Sequence, residues 1–175
     1  GGTNLGVSTS PQTLSWTARS AAEANNWYSV TWSPELGLFV AVALDGINRV
    51  MTSKNGFTWT ARAASEANKW RSVTWSPELG LFVAVGSDFG TINSVMTSSD
   101  GINWTARAAP VNEWYSVTWS PELHLFVAVA DILTDRVMTS PDGINWTALT
   151  ADASGWVSVT WSPELGIFVA VGYAG

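Results

Sequence analysis

The eight residues Ser72–Leu79 read SVTWSPEL, and the same eight recur at Ser29–Leu36, Ser116–Leu123 and Ser158–Leu165. The tryptophans of successive copies are 43, 44 and 42 residues apart. A repeat of about 40 residues built from short strands is typical of a propeller blade. Because one such unit cannot bury both of its faces alone, the copies are predicted to stack into a single domain.

Four short strands are predicted in the second full repeat, at Arg71–Trp75, Leu81–Val85, Ser94–Ser98 and Ile102–Ala106. A turn that contains Pro and Gly separates the first two strands. Asp100-Gly101, between the last two, is typical of a tight hairpin, because Gly tolerates positive φ. Four antiparallel strands in each repeat predict the blade of a propeller.

The chain begins with the third and fourth strands of a blade and finishes with the first and second. It therefore divides into a half blade, three full blades and a half blade, with the limits 1–26, 27–69, 70–113, 114–155 and 156–175. We expect an all-β propeller of four four-stranded blades, closed by pairing the N-terminal half blade with the C-terminal one. The alternative is that half blades pair between molecules and give a larger ring or an open chain.

The composition excludes several classes of partner. The net charge is −6 and the eight Lys and Arg residues are scattered, so nucleic acid is not an expected partner. No apolar run approaches the roughly 18 residues of a membrane-spanning helix. Without Cys, the chain has neither disulfides nor thiolate metal sites. No signal peptide is visible, and an extracellular location is favoured over a cytoplasmic one although the sequence does not determine it.

The predicted hairpins carry a recurring Ser-x-Asp-Gly-x-x-Trp pattern, with Asn in place of Asp in one copy. Its residues are Ser53, Asn55, Gly56 and Trp59; Ser98, Asp100, Gly101 and Trp104; and Ser140, Asp142, Gly143 and Trp146. The pattern resembles the Asp-box, or BNR, repeat of sialidase-like propellers, shortened by one residue between the Asp and the aromatic residue. The resemblance implies a structural hairpin on the face away from any active site. The first copy, Ser10 to Trp16, keeps only its ends.

Every Trp belongs to one of three repeated sets. The first-strand and fourth-strand sets, which include Trp32 and Trp16, are expected to fill the core between blades. The third set lies where the loop between blades enters the first strand, and it provides the candidate ligand-binding residues with their neighbours: Trp27, Trp70, Trp114, Trp156, Tyr28, Arg71 and Tyr115. Rings exposed there would stack on sugars, whereas buried rings would only plug the gap between blades.

No catalytic, metal or cofactor site is predicted. Glu35 and its equivalents recur at a turn that follows Pro, where we expect them to be solvated. Equivalent carboxylates also suit general acid–base chemistry poorly, because it requires two different environments. The single histidine, His124, replaces a turn Gly and has no predicted catalytic partner.

The sequence therefore favours a non-enzymatic binding module that recognises glycans through repeated sites between blades. The alternative is an amplified or engineered repeat scaffold that self-assembles, by half-blade exchange, without a small ligand. Exposure of the third Trp set distinguishes them: accessible rings favour binding, and buried rings favour the scaffold.

Overall fold

The structure is a computed structural model that describes residues 4–8, 15–88, 90–152 and 154–173. Its described residues form sixteen strands and no helix. No helix long and apolar enough to cross a membrane occurs in this part of the chain.

Three four-stranded antiparallel sheets lie in the middle of the chain, and in each one the strands follow sequence order. The first consists of β3 (Trp27–Ser33), β4 (Leu38–Ala43), β5 (Val50–Ser53) and β6 (Thr60–Arg62). The second consists of β7 (Trp70–Ser76), β8 (Leu81–Gly86), β9 (Val95–Ser98) and β10 (Thr105–Arg107). The third consists of β11 (Trp114–Ser120), β12 (Leu125–Ala130), β13 (Val137–Ser140) and β14 (Thr147–Leu149). The blade pattern predicted from the repeat is thus present three times.

A two-stranded sheet lies at each end of the described chain. β1 (Asn4–Ser8) pairs with β2 (Trp16–Ser20), and β15 (Gly155–Ser162) pairs with β16 (Ile167–Tyr173). The predicted pairing of the N-terminal with the C-terminal half blade is absent among the described residues, so they form no closed ring. The prediction of four four-stranded blades is therefore confirmed only for the repeated antiparallel sheets.

Adjacent sheets pack face to face, with the first strands β3, β7, β11 and β15 side by side. Between the first two sheets, Val40 and Val42 of β4 pack against Trp70, Val73 and Phe82 of the next sheet. These second strands are apolar almost throughout because both of their faces are covered. The same contact recurs between the second and third sheets, so the core consists of the interfaces between sheets.

Two members of the predicted core tryptophan sets lie outside this core. Trp16 is 73% exposed and Trp32 is 40% exposed, whereas Trp75, the equivalent of Trp32, is only 8% exposed. The prediction that both sets are buried was therefore wrong at the start of the chain. Trp75 is covered by the sheet before it, and a complete sheet does not precede Trp32.

Candidate functional site

A β-bulge interrupts the first strand of every repeat. The register shifts between Trp70 and Ser72 in β7, and at the equivalent place in β3, β11 and β15. The extra residue is Tyr28, Arg71, Tyr115 or Val157, in chain order. A bulge leaves one residue unpaired and redirects its side chain. At these four positions, therefore, the side chains of the first strands depart from the regular alternation of the sheet.

The bulge residues of the three complete sheets lie together. The guanidinium carbon of Arg71 is 5.5 Å from the ring centroid of Tyr28 and 4.2 Å from that of Tyr115. Arg71 Nε donates a hydrogen bond to Ser87 Oγ, at 2.5 Å. We call Tyr28, Arg71 and Tyr115 the Tyr–Arg–Tyr cluster. A cation held between two aromatic faces is fixed in orientation.

Acidic side chains border the cluster on the Tyr115 side. The hydroxyl of Tyr115 donates to a carboxylate oxygen of Glu113 at 3.4 Å. Burial raises the pKa of Tyr115; the positive charge of Arg71 opposes that shift, and Glu113 and Asp131 add to it. The phenol therefore stays protonated at neutral pH and keeps a hydrogen-bond donor beside the guanidinium.

The tryptophans of the third set have a different environment from their bulged neighbours. Trp70 and Trp114 are both 0% exposed, while Trp27 and Trp156 are half-buried. The indole nitrogens of Trp27, Trp70 and Trp114 donate to backbone carbonyl oxygens four residues earlier, at 2.9 to 3.1 Å. These positions favour the core role, in which the rings plug the gap between blades. Sugar stacking by this set stays a prediction.

Each predicted hairpin box is held by the same hydrogen bonds. In the second sheet, Ser98 Oγ accepts from the Gly101 N–H at 2.8 Å, and an Asp100 carboxylate oxygen accepts from the backbone N–H groups of Ile102 and Asn103, both at 2.8 Å. The Trp104 indole donates to the Gly101 carbonyl at 3.1 Å. The boxes at Ser53 and Ser140 repeat this arrangement, with Asn55 as the acceptor in the first.

The box also lowers the pKa of its carboxylate. Burial acts to raise the pKa of Asp100, but hydrogen bonds from Asn103, Ile102 and Ser98 outweigh it and lower the pKa to about 2. Asp142 has a pKa of about 2 for the same reasons. These carboxylates are therefore charged hydrogen-bond acceptors over the whole physiological range. They hold the turn of the hairpin.

Glu35 and its equivalents are exposed, as expected, but three of the four also accept a hydrogen bond from the next repeat. The indole nitrogens of Trp75, Trp119 and Trp161 each donate to the glutamate of the preceding repeat, at 2.6 to 2.7 Å. Those acceptors are Glu35, Glu78 and Glu122. The recurrence of both residues in SVTWSPEL carried this signal, but the bond joins two copies, which a reading of one copy does not reveal.

A metal-binding arrangement is not assembled in the described part of the chain. No group of three or more His, Asp or Glu side chains that could hold a metal ion occurs there. His124 adopts a φ of 48° at the turn position that Gly occupies in the other repeats, and its ring packs edge-on against Trp119. It therefore has a place in the packing of the turn.

No family model and no curated protein matches this sequence. Solved structures do resemble it in fold. A chain of a nidogen/laminin complex is 12% identical, with a TM-score of 0.69 over 97% of this chain and 64% of that one. The computationally designed Ika8 protein is 10% identical, with a TM-score of 0.62 over 88% and 45%. YCF48 from Cyanidioschyzon merolae is 16% identical, with a TM-score of 0.56 over 86% and 57%.

These neighbours are propeller-like or repeat proteins, and at such low identity the likeness shows the fold alone. This chain spans less than two thirds of each of them. Its three sheets and two hairpins are thus similar to an arc of a longer propeller-like chain. The likeness extends to the fold and does not single out the Asp-box repeat.

Proposed function

We propose that the chain is a non-enzymatic binding module whose ligand site is the Tyr–Arg–Tyr cluster. The observation that carries the proposal is the position of Arg71, held between the rings of Tyr28 and Tyr115 by three successive bulges. Bulges recur beside functional sites because they redirect side chains away from the sheet. Arg71 and Tyr115 of the proposed site therefore each follow a buried tryptophan in the chain, Trp70 and Trp114 respectively.

Carbohydrate is the ligand class that this chemistry suits best. Tyrosine rings offer flat apolar faces with a polar edge, and Tyr28 is exposed. Arg71 provides planar hydrogen-bond donors, and Glu113 provides an acceptor, so hydroxyl groups of either orientation find partners. Shallow sites of this kind would gain from avidity if several modules were presented together. An extracellular location belongs to the same proposal, because cell-surface glycans are displayed there.

A glycan array tests the proposal with variants that leave the core untouched. Arg71→Gln and Tyr28→Ala should each abolish specific binding without lowering the melting temperature by more than a few degrees. Arg107→Gln is the matched control: its Nε donates to Thr97 Oγ1 at 3.0 Å on the fourth strand, away from the cluster. Binding that survives Arg71→Gln, or none by the unaltered chain, would contradict the proposed site.

A second function, that of a self-assembling repeat scaffold, is favoured by the burial of Trp70 and Trp114. A four-bladed ring closed within one chain is the alternative to this self-assembly. Native mass spectrometry separates the forms, because a closed or open monomer has a mass of 18.7 kDa and an assembly has a multiple of it. A monomer at every concentration, together with a positive glycan array, would exclude the self-assembling scaffold and support only the binding module.

A further inference from the structure

We propose that a second copy of this chain docks head to tail on the two ends of the described arc and completes a composite blade. The inference rests on the scaffold function and specifies its contact. Each interface between sheets inside the chain shows what such a contact consists of, and the two ends carry its separate halves.

The first half of the contact is the N-terminal end surface, defined by Val30 and Trp32 of β3. Val30 is 55% exposed, whereas Val73, its equivalent in the next sheet, is 5% exposed beneath β4. The Trp32 indole nitrogen makes no hydrogen bond to any described residue, while that of Trp75 donates to Glu35. An apolar strip with an unused donor therefore lies uncovered at this end.

The second half is the C-terminal end surface, formed by β15 and β16. Ile167, Val169 and Val171 of β16 are all exposed. They are the equivalents of Leu38, Val40 and Val42, the residues that cover the next sheet inside the chain. Glu164 in the preceding turn is equivalent to Glu35, and it accepts no indole hydrogen bond from any described residue. This surface therefore has an apolar strip of its own, together with the acceptor that the other end lacks.

Backbone contacts recur in the same way. Ser29 Oγ accepts from the Val73 N–H at 3.2 Å, and Ser116 Oγ accepts from the Val159 N–H at 3.2 Å. By repeat equivalence, Ser158 of one copy would accept from the Val30 N–H of the other. The contact would then join Glu164 to Trp32 and Ser158 to Val30, between molecules.

The half blades fit the same arrangement. A groove of about 470 Å³ lies beside β15–β16, lined by Val127, Val129, Val137, Phe168 and Ala170 among others. In the complete sheets the fourth-strand tryptophan occupies the equivalent space. Trp104, for example, packs there against its core cluster. Trp16, its N-terminal equivalent, is exposed. In the composite blade, β1–β2 of one copy lies along β16 of the other, and Trp16 fills the groove.

A second copy is favoured over closure within the chain because the two ends do not meet in the structure. β1 pairs only with β2, and β16 only with β15, in the described part. This chain spans 45% to 64% of longer solved chains of similar fold, so two copies together have a length comparable to one of them. Two copies joined by two identical head-to-tail contacts would close such a ring.

Two variants, each with one blocked end, test the contact. Val30→Asp blocks the N-terminal end surface and Val169→Asp blocks the C-terminal one, and both side chains are exposed, so folding should be preserved. The unaltered chain should form a dimer. Each variant alone should have a mass of 18.7 kDa, and an equimolar mixture should regain a dimer, because one intact surface of each kind remains.

Three outcomes would overturn the proposal: a monomer for the unaltered chain at every concentration, a mixture that stays monomeric, or dimers of each single variant. Glu164→Gln should weaken association at least tenfold, because both contacts of the dimer lose the charge on a hydrogen-bond acceptor. Glu78→Gln is its matched control, because Glu78 bonds Trp119 inside the chain and should affect unfolding only. Glycan binding by Val169→Asp, measured separately, reports on the Tyr–Arg–Tyr cluster regardless of assembly.

Discussion

The hairpin β9–β10 and the N-terminal hairpin β1–β2 occupy equivalent places in the repeat, yet their registers differ by two residues. Val95 lies opposite Arg107, whereas Val7, the equivalent of Val95, lies opposite Thr17 instead of Arg19. A shift of two keeps each side chain on its face of the sheet, because the strand period is two. Apolar patterning alone therefore does not distinguish the two registers.

The arginines show the consequence. Arg107 Nε donates to Thr97 Oγ1, and Arg62 in the first sheet bonds Thr52 in the same way. Arg19 Nε is buried and has no hydrogen-bond partner among the described residues, and its guanidinium lies over the ring of Phe57, 4.8 Å from the centroid. The box from Ser98 to Trp104 is intact, while Gln12 and Thr13 stand where Asp100 and Gly101 do. The comparison indicates that the box sets the register.

The largest effect should come from filling the space under the intact box. Gly101 has a φ of +72°, and a Cβ built there would lie 2.9 Å from side-chain atoms of Leu38 and Val40 in the preceding sheet. Gly101→Val combines backbone strain with overpacking and should lower the free energy of unfolding by about 3 kcal/mol or more. A urea titration followed by Trp fluorescence measures it.

Gly80 is the matched control for that substitution. Its φ is +59°, and nothing lies within 4 Å of an added Cβ. Gly80→Val should cost only the backbone strain, about 1–2 kcal/mol. Equal losses for Gly101→Val and Gly80→Val would show that contact with the preceding sheet contributes nothing to the role of the box.

Removing one hydrogen-bond acceptor from the box should have an intermediate effect. Ser98→Ala leaves the buried N–H of Gly101 without its partner at 2.8 Å, and should cost about 1–2 kcal/mol. Ser99→Ala changes an exposed neighbour and should be neutral in the same thermal melt. If the two variants melt alike, the Ser–Gly bond is not what holds the hairpin.

The repeated sheets were predictable because local signals agree with one another. The alternation in Arg71–Trp75, the apolar run in Leu81–Val85 and the Asp100-Gly101 turn each indicate the same hairpin ladder. The contact of Arg71 with Tyr115 could not be predicted in the same way, because the bulges that redirect these side chains do not alter the pattern of apolar residues. The candidate residues were named, but their contact was not.

The contacts between copies of the repeat were not predicted from the sequence. The bond from Trp75 to Glu35 spans 40 residues, and both partners look like ordinary turn and strand residues within one repeat. The shifted register of β1–β2 was missed for the opposite reason: the constant spacing from Ser10 to Trp16 suggested an unchanged hairpin. Spacing is retained there, while the acceptor and the Gly that set the register are not.

Restoring the box should sharpen the comparison with a smaller effect. Gln12→Asp combined with Thr13→Gly gives the N-terminal copy the pattern of the other hairpins. The variant should move Val7 opposite Arg19 and raise the free energy of unfolding by about 1 kcal/mol, since one turn gains its hydrogen bonds. Cross-strand nuclear Overhauser effects between the two strands report the register. Pairing of Val7 with Thr17 in the variant would mean that the box does not set it.

The smallest effect should appear only in acid. Asp100→Asn keeps an acceptor, as Asn55 shows in the first box, where its side-chain oxygen accepts from the N–H groups of Phe57 and Thr58. Stability at neutral pH should change little. Because the pKa of Asp100 is about 2 in the folded chain and its ordinary value is 3.8, the carboxylate contributes its full stability above pH 3.8. That contribution is lost as the pH falls towards 2.

The unfolding free energy of the unaltered chain should therefore fall more steeply over this interval than that of Asp100→Asn. Asp142→Asn should repeat the result, since its box and its pKa are equivalent, and parallel acid profiles for all three proteins would contradict the assignment.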